Sequence, residues 1–248
     1  MTMTFDALPL TDEAAIHTSL ERFLNGLPEL PLLLGLGEPT HEVEAFSELR
    51  NDLFRVLVQR HGFRAIALES DCLSARWRAA RMYARTAVGL LRYHDRMAST
   101  EADRVAVMLG VRDAMMADNL LDIVATERRR GPVLAFAHNM HLRRQRSAWT
   151  LAGTDLRWWS AGALVSPILG SRYAFVASDS ARTGDAPGTL QQRLAAVTPG
   201  RALFSRDTLA KARDLPPAAG DSGYFPVEPR HLDQMDGLAF LTPRRRPN

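Results

Sequence analysis

Residues 31–70, PLLLGLGEPTHEVEAFSELRNDLFRVLVQRHGFRAIALES, read as a strand, a helix and a second strand in direct succession. PLLLGLG (31–37) is a short continuous apolar run closing on glycines, the pattern of a strand buried on both faces. From Glu42 to Gln59, apolar Val43, Phe46, Leu49, Leu53, Phe54, Leu57 and Val58 recur at helical spacing. His61-Gly62 ends that helix with a residue suited to a left-handed cap. FRAIALES (63–70) is the second buried strand. This order predicts two parallel strands joined by a right-handed crossover.

The pattern continues outward. Residues 73–129 are helical in spacing, first LSARWRAARMYARTA and then EADRVAVMLGVRDAMMADNLLDIVATERRR, until Gly131-Pro132 stops the run. PVLAFA (132–137) is a third strand, and RYAFVAS (172–178) a fourth. Between them, 142–170 mixes arginine, tryptophan and small residues without a clear period. DSARTGDAPG (179–188) is a loop, 189–197 a short helix, RALFS (201–205) a strand, and GLAFLT (237–242) the last strand. There is no internal repeat. Strands alternating with helices predict an α/β fold: a mostly parallel central sheet flanked by helices. The expected organisation is one domain over 1–248, with a small helical insertion or cover at 73–129.

Bulk composition narrows the function. A chain of 248 residues with 46% hydrophobic and 24% charged residues is ordinary for a globular protein with a real core. A net charge of +3 gives no case for nucleic acid. Lys211 is the single lysine, and the arginine and alanine bias matches a GC-rich bacterial genome. The start lacks a basic segment followed by an apolar one, and no apolar run reaches the ~18 to 20 residues that span a membrane. The expected location is the cytoplasm, with a small-molecule substrate as partner and neither nucleic acid nor membrane. Oligomeric state is left open. Cys72 stands alone, which excludes an intramolecular disulfide, and reads as a buried structural thiol. The tail PRRRPN reads as a solvated end.

In open parallel sheets, ligands bind beyond the carboxyl ends of the strands. The first strand delivers Glu38 and His41 to that rim, the second Glu69, and the third His138, Asn139 and His141. Each has a plain structural reading. Glu38 suits a helix N-terminus, Glu69 a strand end, and His138 a hydrogen bond in a tight loop. Their convergence on one rim is what points to chemistry. A neutral imidazole takes a proton from water near pH 7, worth ~10²–10⁴ in rate, and a neighbouring carboxylate fixes its tautomer. A second histidine and an arginine would then stabilise an oxyanion. Neither Ser70 nor Ser74 lies in a Gly-x-Ser-x-Gly elbow, so a serine nucleophile is unsupported. The same set of Glu38, His41, Glu69, His138 and His141 also suits a divalent metal. No cofactor is expected, and the metal mode stays open.

These segments resemble the erythromycin esterase-like hydrolases. LLGLGEPTHEVEAFSELRNDLFRVLVQRHGFRAIALESD is similar to that family's Gly-Glu-x-x-His segment, helix and Glu-bearing strand. VRDAMMADNLLDIV, PVLAFAHNMHLRR and MDGLAFLTP follow in the family's order. The resemblance implies that His41 is the general base activating water, with Glu38 and Glu69 orienting it and His138 completing the catalytic set. It implies substrate binding by Arg50, Asn139 and His141. Between Glu69 and His138 the chain leaves room for only two or three helices, a shorter cover than in full-length members. Trp77, Met82, Tyr83, Leu90 and Tyr93 supply apolar surface there. Arg112, Asp113, Met116 and Asn119 share one face of their helix; their spacing suits an exposed stripe equally well, and the resemblance implies that they brace the loop bearing His138.

The expected activity is therefore hydrolysis of a carboxylic ester or lactone in a natural-product or antibiotic-like substrate. The alternative is a biosynthetic tailoring enzyme using the same rim for cyclisation, dehydration or isomerisation of a secondary metabolite.

Overall fold

The computed structural model describes residues 4–69, 80–221 and 223–242. Cys72, Trp77, the first part of the helix expected from 73, and the tail lie outside those residues, as do the side chains of Met82 and Tyr83. The strands are β1 (Leu8–Pro9), β2 (Leu33–Glu38), β3 (Ala65–Leu68), β4 (Val133–His138), β5 (Arg146–Leu151), β6 (Thr154–Trp159), β7 (Tyr173–Ser180), β8 (Arg201–Ser205) and β9 (Gly237–Leu241). The helices are α1 (Glu13–Asn25), α2 (Glu44–Arg60), α3 (Ala80–Ala98), α4 (Arg104–Glu127), α5 (Asn139–Leu142), α6 (Ala161–Leu169), α7 (Leu190–Ala195) and α8 (Arg206–Leu209).

Seven strands form one sheet in the order β1-β8-β9-β7-β2-β4-β3, with β5 and β6 as a separate hairpin. From β3 through β9 the neighbours are parallel, while β8 and β1 are antiparallel. The expected mostly parallel sheet flanked by helices is the fold found. The middle of the five parallel strands is β2, paired with β4 from Leu33↔Val133 to Glu38↔His138 and with β7 from Leu33↔Tyr173 to Leu36↔Val176.

Both sheet faces are buried, which is why the strands read as continuous apolar runs. On one face Leu34, Leu36, Leu134, Phe136, Ala174 and Val176 pack against α1 and α2, which bring Phe23, Phe46, Leu49 and Leu53. On the other, Leu33, Val133, Ala135, Tyr173 and Phe175 meet Leu120 and Val124 of α4 and Val165 of α6. In α2 the buried residues are Phe46, Leu49, Leu53, Val56 and Leu57. Val43 precedes the helix and is exposed, because Glu42 takes a left-handed φ of 64° and delays the helix start. Two helices, α3 and α4, fill the described part of the 73–129 segment, and Leu90 faces outward.

Neither α1 nor the β5–β6 hairpin is among the elements expected from the sequence. α1 is capped by Asp12, whose carboxylate accepts the Ala15 N–H at 2.9 Å, and buries Ile16, Leu20, Phe23 and Leu24. The β5–β6 hairpin turns at Ala152 and Gly153, both at positive φ, as a two-residue primed turn requires. It buries Leu156 and Trp158 beside Met140 and Leu109. Among the described residues no helix is long and apolar enough to cross a membrane.

Candidate active site

β2 and β4 are neighbours whose chains leave toward opposite faces: α2 follows β2 onto one layer, while Leu142 and α6 follow β4 into the other. Such a divergence opens a crevice at the carboxyl ends. Glu38 and His138 close the β2–β4 ladder as register partners. Glu69 arrives beside them because its N–H donates to the Phe136 carbonyl at 2.9 Å, carrying the β3–β4 ladder one residue further.

His41 is the exposed member of the group, with 53% of its side chain open to solvent. Its Nδ1 meets Glu38 Oε1 at 2.8 Å, and its Nε2 lies 3.9 Å from Glu69 Oε1. A proton on Nδ1, facing Glu38, would leave the Nε2 lone pair toward the space shared with Glu69. Glu69 is itself held from three sides. Its Oε2 accepts the His138 backbone N–H at 2.8 Å, and its Oε1 accepts Arg112 Nη2 at 2.5 Å and lies 3.4 Å from His141 Nε2.

α4 supplies the support behind this rim. Arg112 Nη2 also reaches His141 Nε2 at 2.5 Å, and His141 Nδ1 contacts the fully buried Asp113 carboxylate. The other oxygen of Asp113 accepts Trp158 Nε1 at 2.8 Å, so the hairpin is tied to the same carboxylate. Arg112 keeps 44% of its side chain exposed and so borders the cleft.

Burial and charge set the protonation states. Burial pushes the Glu38 carboxyl above its usual range, partly offset by the hydrogen bond from His41. Burial would raise Glu69 too, but His141, the His138 N–H, Arg112 and His41 outweigh it and hold Glu69 below the usual carboxylate range. Burial, with His141 and His41 nearby, drives His138 down to about 3, so this imidazole is neutral.

Each residue singled out in the sequence has a defined place. His138 has both ring nitrogens engaged by backbone: Nε2 donates to the Pro39 carbonyl at 3.1 Å, and Nδ1 accepts the Met140 N–H at 3.1 Å. Asn139 lies over Gly37, and its amide pairs with the Ser178 backbone in both directions, at 2.8 and 3.1 Å. It thereby fills the gap where β2 and β7 stop pairing. A Cβ at Gly37 would lie 2.1 Å from Asn139 Oδ1, so only glycine permits this seam. His141 is buried against α4. Arg50 donates to Asn51 Oδ1 at 2.9 and 3.1 Å, lies 4.8 Å over the Phe136 ring, and lowers the Glu38 pKa through space.

Among the described residues, no group of three or more His, Cys, Asp or Glu side chains is arranged to hold a metal ion. The reason is local. His138 and His141 each have both ring nitrogens facing protein partners. Sequence reasoning also missed Phe225, whose N–H donates to the Pro39 carbonyl at 3.0 Å and whose ring meets His138 and Trp149 edge-on. It sits in a proline-rich stretch with no period to expose it.

The sequence matches the family model described as erythromycin esterase over residues 74–214, more than half of the chain. The chain belongs to the erythromycin esterase family. Membership supports an ester hydrolase in broad terms. The matched segment of this erythromycin esterase-family chain carries Arg112, Asp113, His138, Asn139 and His141, and leaves Glu38, His41 and Glu69 outside it. No curated protein matches the sequence. Three solved structures share the fold at 14% identity. A Bacillus cereus protein gives a TM-score of 0.65, with 95% of this chain and 94% of that chain covered. A succinoglycan biosynthesis protein gives 0.63 with the same coverage. A mutant of the erythromycin esterase EreC in its open conformation gives 0.61, with 98% of both chains covered.

Proposed function

We propose that the chain hydrolyses a carboxylic ester or lactone of a natural-product or antibiotic-like substrate, using water activated by His41. The observation that carries this reading is the 2.8 Å Glu38–His41 pair with Nε2 left free beside Glu69. Glu38 holds the Nδ1–H tautomer, so Nε2 takes a proton from water as the oxygen attacks the carbonyl carbon. The imidazolium that forms lies between two carboxylates, Glu38 and Glu69, which stabilise it. Arg112, bordering the cleft, faces the oxyanion. Collapse of the tetrahedral intermediate expels the alkoxide, which recovers the proton from His41 Nε2. Such general-base help is worth ~10²–10⁴ in rate.

In this reading His138 positions rather than transfers protons, since its nitrogens are spent on Pro39 and Met140 and its backbone N–H orients Glu69. His141 sets Arg112 and Glu69, and Asn139 holds the strand seam beneath. Arg50 biases Glu38 toward its charged form. Family membership favours hydrolysis over the cyclisation, dehydration or isomerisation alternative.

The test is a panel of aryl esters, alkyl esters and macrolactones incubated with the purified full chain, with the carboxylate product measured with and without chelator. Hydrolysis of at least one member, unaffected by chelator, is expected. No turnover across the panel, or turnover abolished by chelator and restored by one divalent ion, overturns the reading.

A further inference from the structure

Behind the rim, on the face away from α2, a small cavity lies between the end of α5, β7 and the segment 225–235. Asn139, Arg143, Phe175, Phe225, His231 and Gln234 are among its lining residues. Its volume is about 10 Å³, room for one sphere the size of a water molecule or a monatomic ion.

Arg143 is the anomaly in this wall. Its backbone is pinned on both sides: its N–H donates to the Asn139 carbonyl at 3.2 Å, and its carbonyl accepts the Ser160 hydroxyl at 2.7 Å. The side chain lines the cavity. Its Nε is closed off from solvent and has no hydrogen-bond partner. Glu228, whose charge acts on Arg143, is held by Arg230, which binds both of its oxygens, at 2.7 and 2.9 Å. Arg143 is part-buried, and a partly desolvated cationic group without a paired carboxylate favours a bound anion. Gln234 Oε1, in the same wall, is likewise enclosed and unpartnered. His231 is held neutral, down to about 3, by burial and by Arg143 and Arg230, and so offers one N–H without adding charge.

We propose that this cavity is a binding site for a small monovalent inorganic anion, chloride in size, held by the Arg143 guanidinium with His231 alongside. Room for one water-sized sphere favours a monatomic anion over phosphate or a carboxylate, and charge favours an anion over water. The two arginines and one carboxylate leave the region one positive charge in excess. Gln234 turns its amide N–H toward the anion; which end of a glutamine amide faces a partner is a choice the hydrogen-bond network makes. Phe225 closes the cavity on one side and packs on His138 on the other, so an occupied site braces the wall of the cleft. The site stands independently of the ester-hydrolase reading.

The test uses the full chain crystallised and soaked in bromide, with thermal melts in chloride against gluconate at fixed ionic strength. The expected result is an anomalous bromide peak in the cavity within hydrogen-bonding distance of Arg143. Tm should rise by about 3 °C between zero and saturating chloride, and the rise should vanish in Arg143→Met. A water in the cavity with no bromide peak, or a Tm that does not respond to chloride, overturns the proposal. If Arg143→Met does not fold, the wild-type peak and melt decide.

Discussion

Glu38 and His138 face each other across the last step of the β2–β4 ladder, continuing the side-chain row of Leu36 and Phe136. Their roles diverge because their neighbours differ. Glu38 turns its carboxylate to His41, while His138 spends both ring nitrogens on the Pro39 carbonyl and the Met140 N–H. Two adjacent strands thus separate the work, one holding the base and the other holding the loops around it. His138→Asn should therefore lower stability by about 1–3 kcal/mol through lost buried hydrogen bonds. Its loss of turnover should be smaller than that of His41→Ala. Parallel urea melts and kcat measurements on the two variants check the ordering.

Asp113 is the deepest carboxylate behind the rim, contacting His141 Nδ1 and accepting from Trp158 Nε1. Asp113→Ala leaves the buried Trp158 indole N–H without its acceptor and His141 Nδ1 without its carboxylate neighbour. It should cost about 3 kcal/mol of stability and lower kcat with little change in KM, because Arg112 and Glu69 lose their backing. A stability change under about 0.5 kcal/mol, the size typical of a surface substitution, would contradict this account.

The seam between β2 and β7 rests on Gly37 and Asn139. Gly37→Ala places a Cβ into the Asn139 amide and should cost about 1–3 kcal/mol. Asn139→Ala should cost far less in the Gly37→Ala background than in wild type, since the same contact is already lost. A double-mutant cycle by denaturant unfolding measures that coupling; strict additivity would refute it.

Acid should destabilise the fold. His138 and His231 are each held down to about 3, so the unfolded chain takes up both protons near pH 6.5 while the folded chain does not. Their contribution is present above about pH 6.5 and fades as pH falls from there toward 3. Asp179 runs the other way: burial lifts its pKa to about 6, so the folded state binds that proton first and gains as pH drops toward 4. Glu38, raised, and Glu69, lowered, oppose each other. Two imidazoles against one carboxylate leave a net loss, so the urea midpoint should be lower at pH 5 than at pH 7.

Much of this arrangement is legible in residues 31–70 and 132–141. Apolar runs mark strands buried on both faces, and the rim residues follow directly in sequence. Arg112 and Asp113 also showed as polar residues within an apolar helix, and both support the rim. What stayed hidden is non-local. The engagement of His138 depends on Pro39, 99 residues away in sequence, and no spacing rule reports it. The hairpin turn uses Ala152 where asparagine would have signalled a primed turn. α1 carried readable signs, Asp12 as a cap and Ile16, Leu20 and Phe23 at helical spacing. The isolation of Arg143 is visible only once Arg230 is seen holding Glu228.

The most direct test of the central claim is kcat/KM for an ester that the wild-type chain hydrolyses, compared with His41→Ala. His41 is half open to solvent, so the variant should fold with an unchanged Tm while turnover drops by about 10²–10⁴. A folded His41→Ala that keeps wild-type turnover would contradict the account.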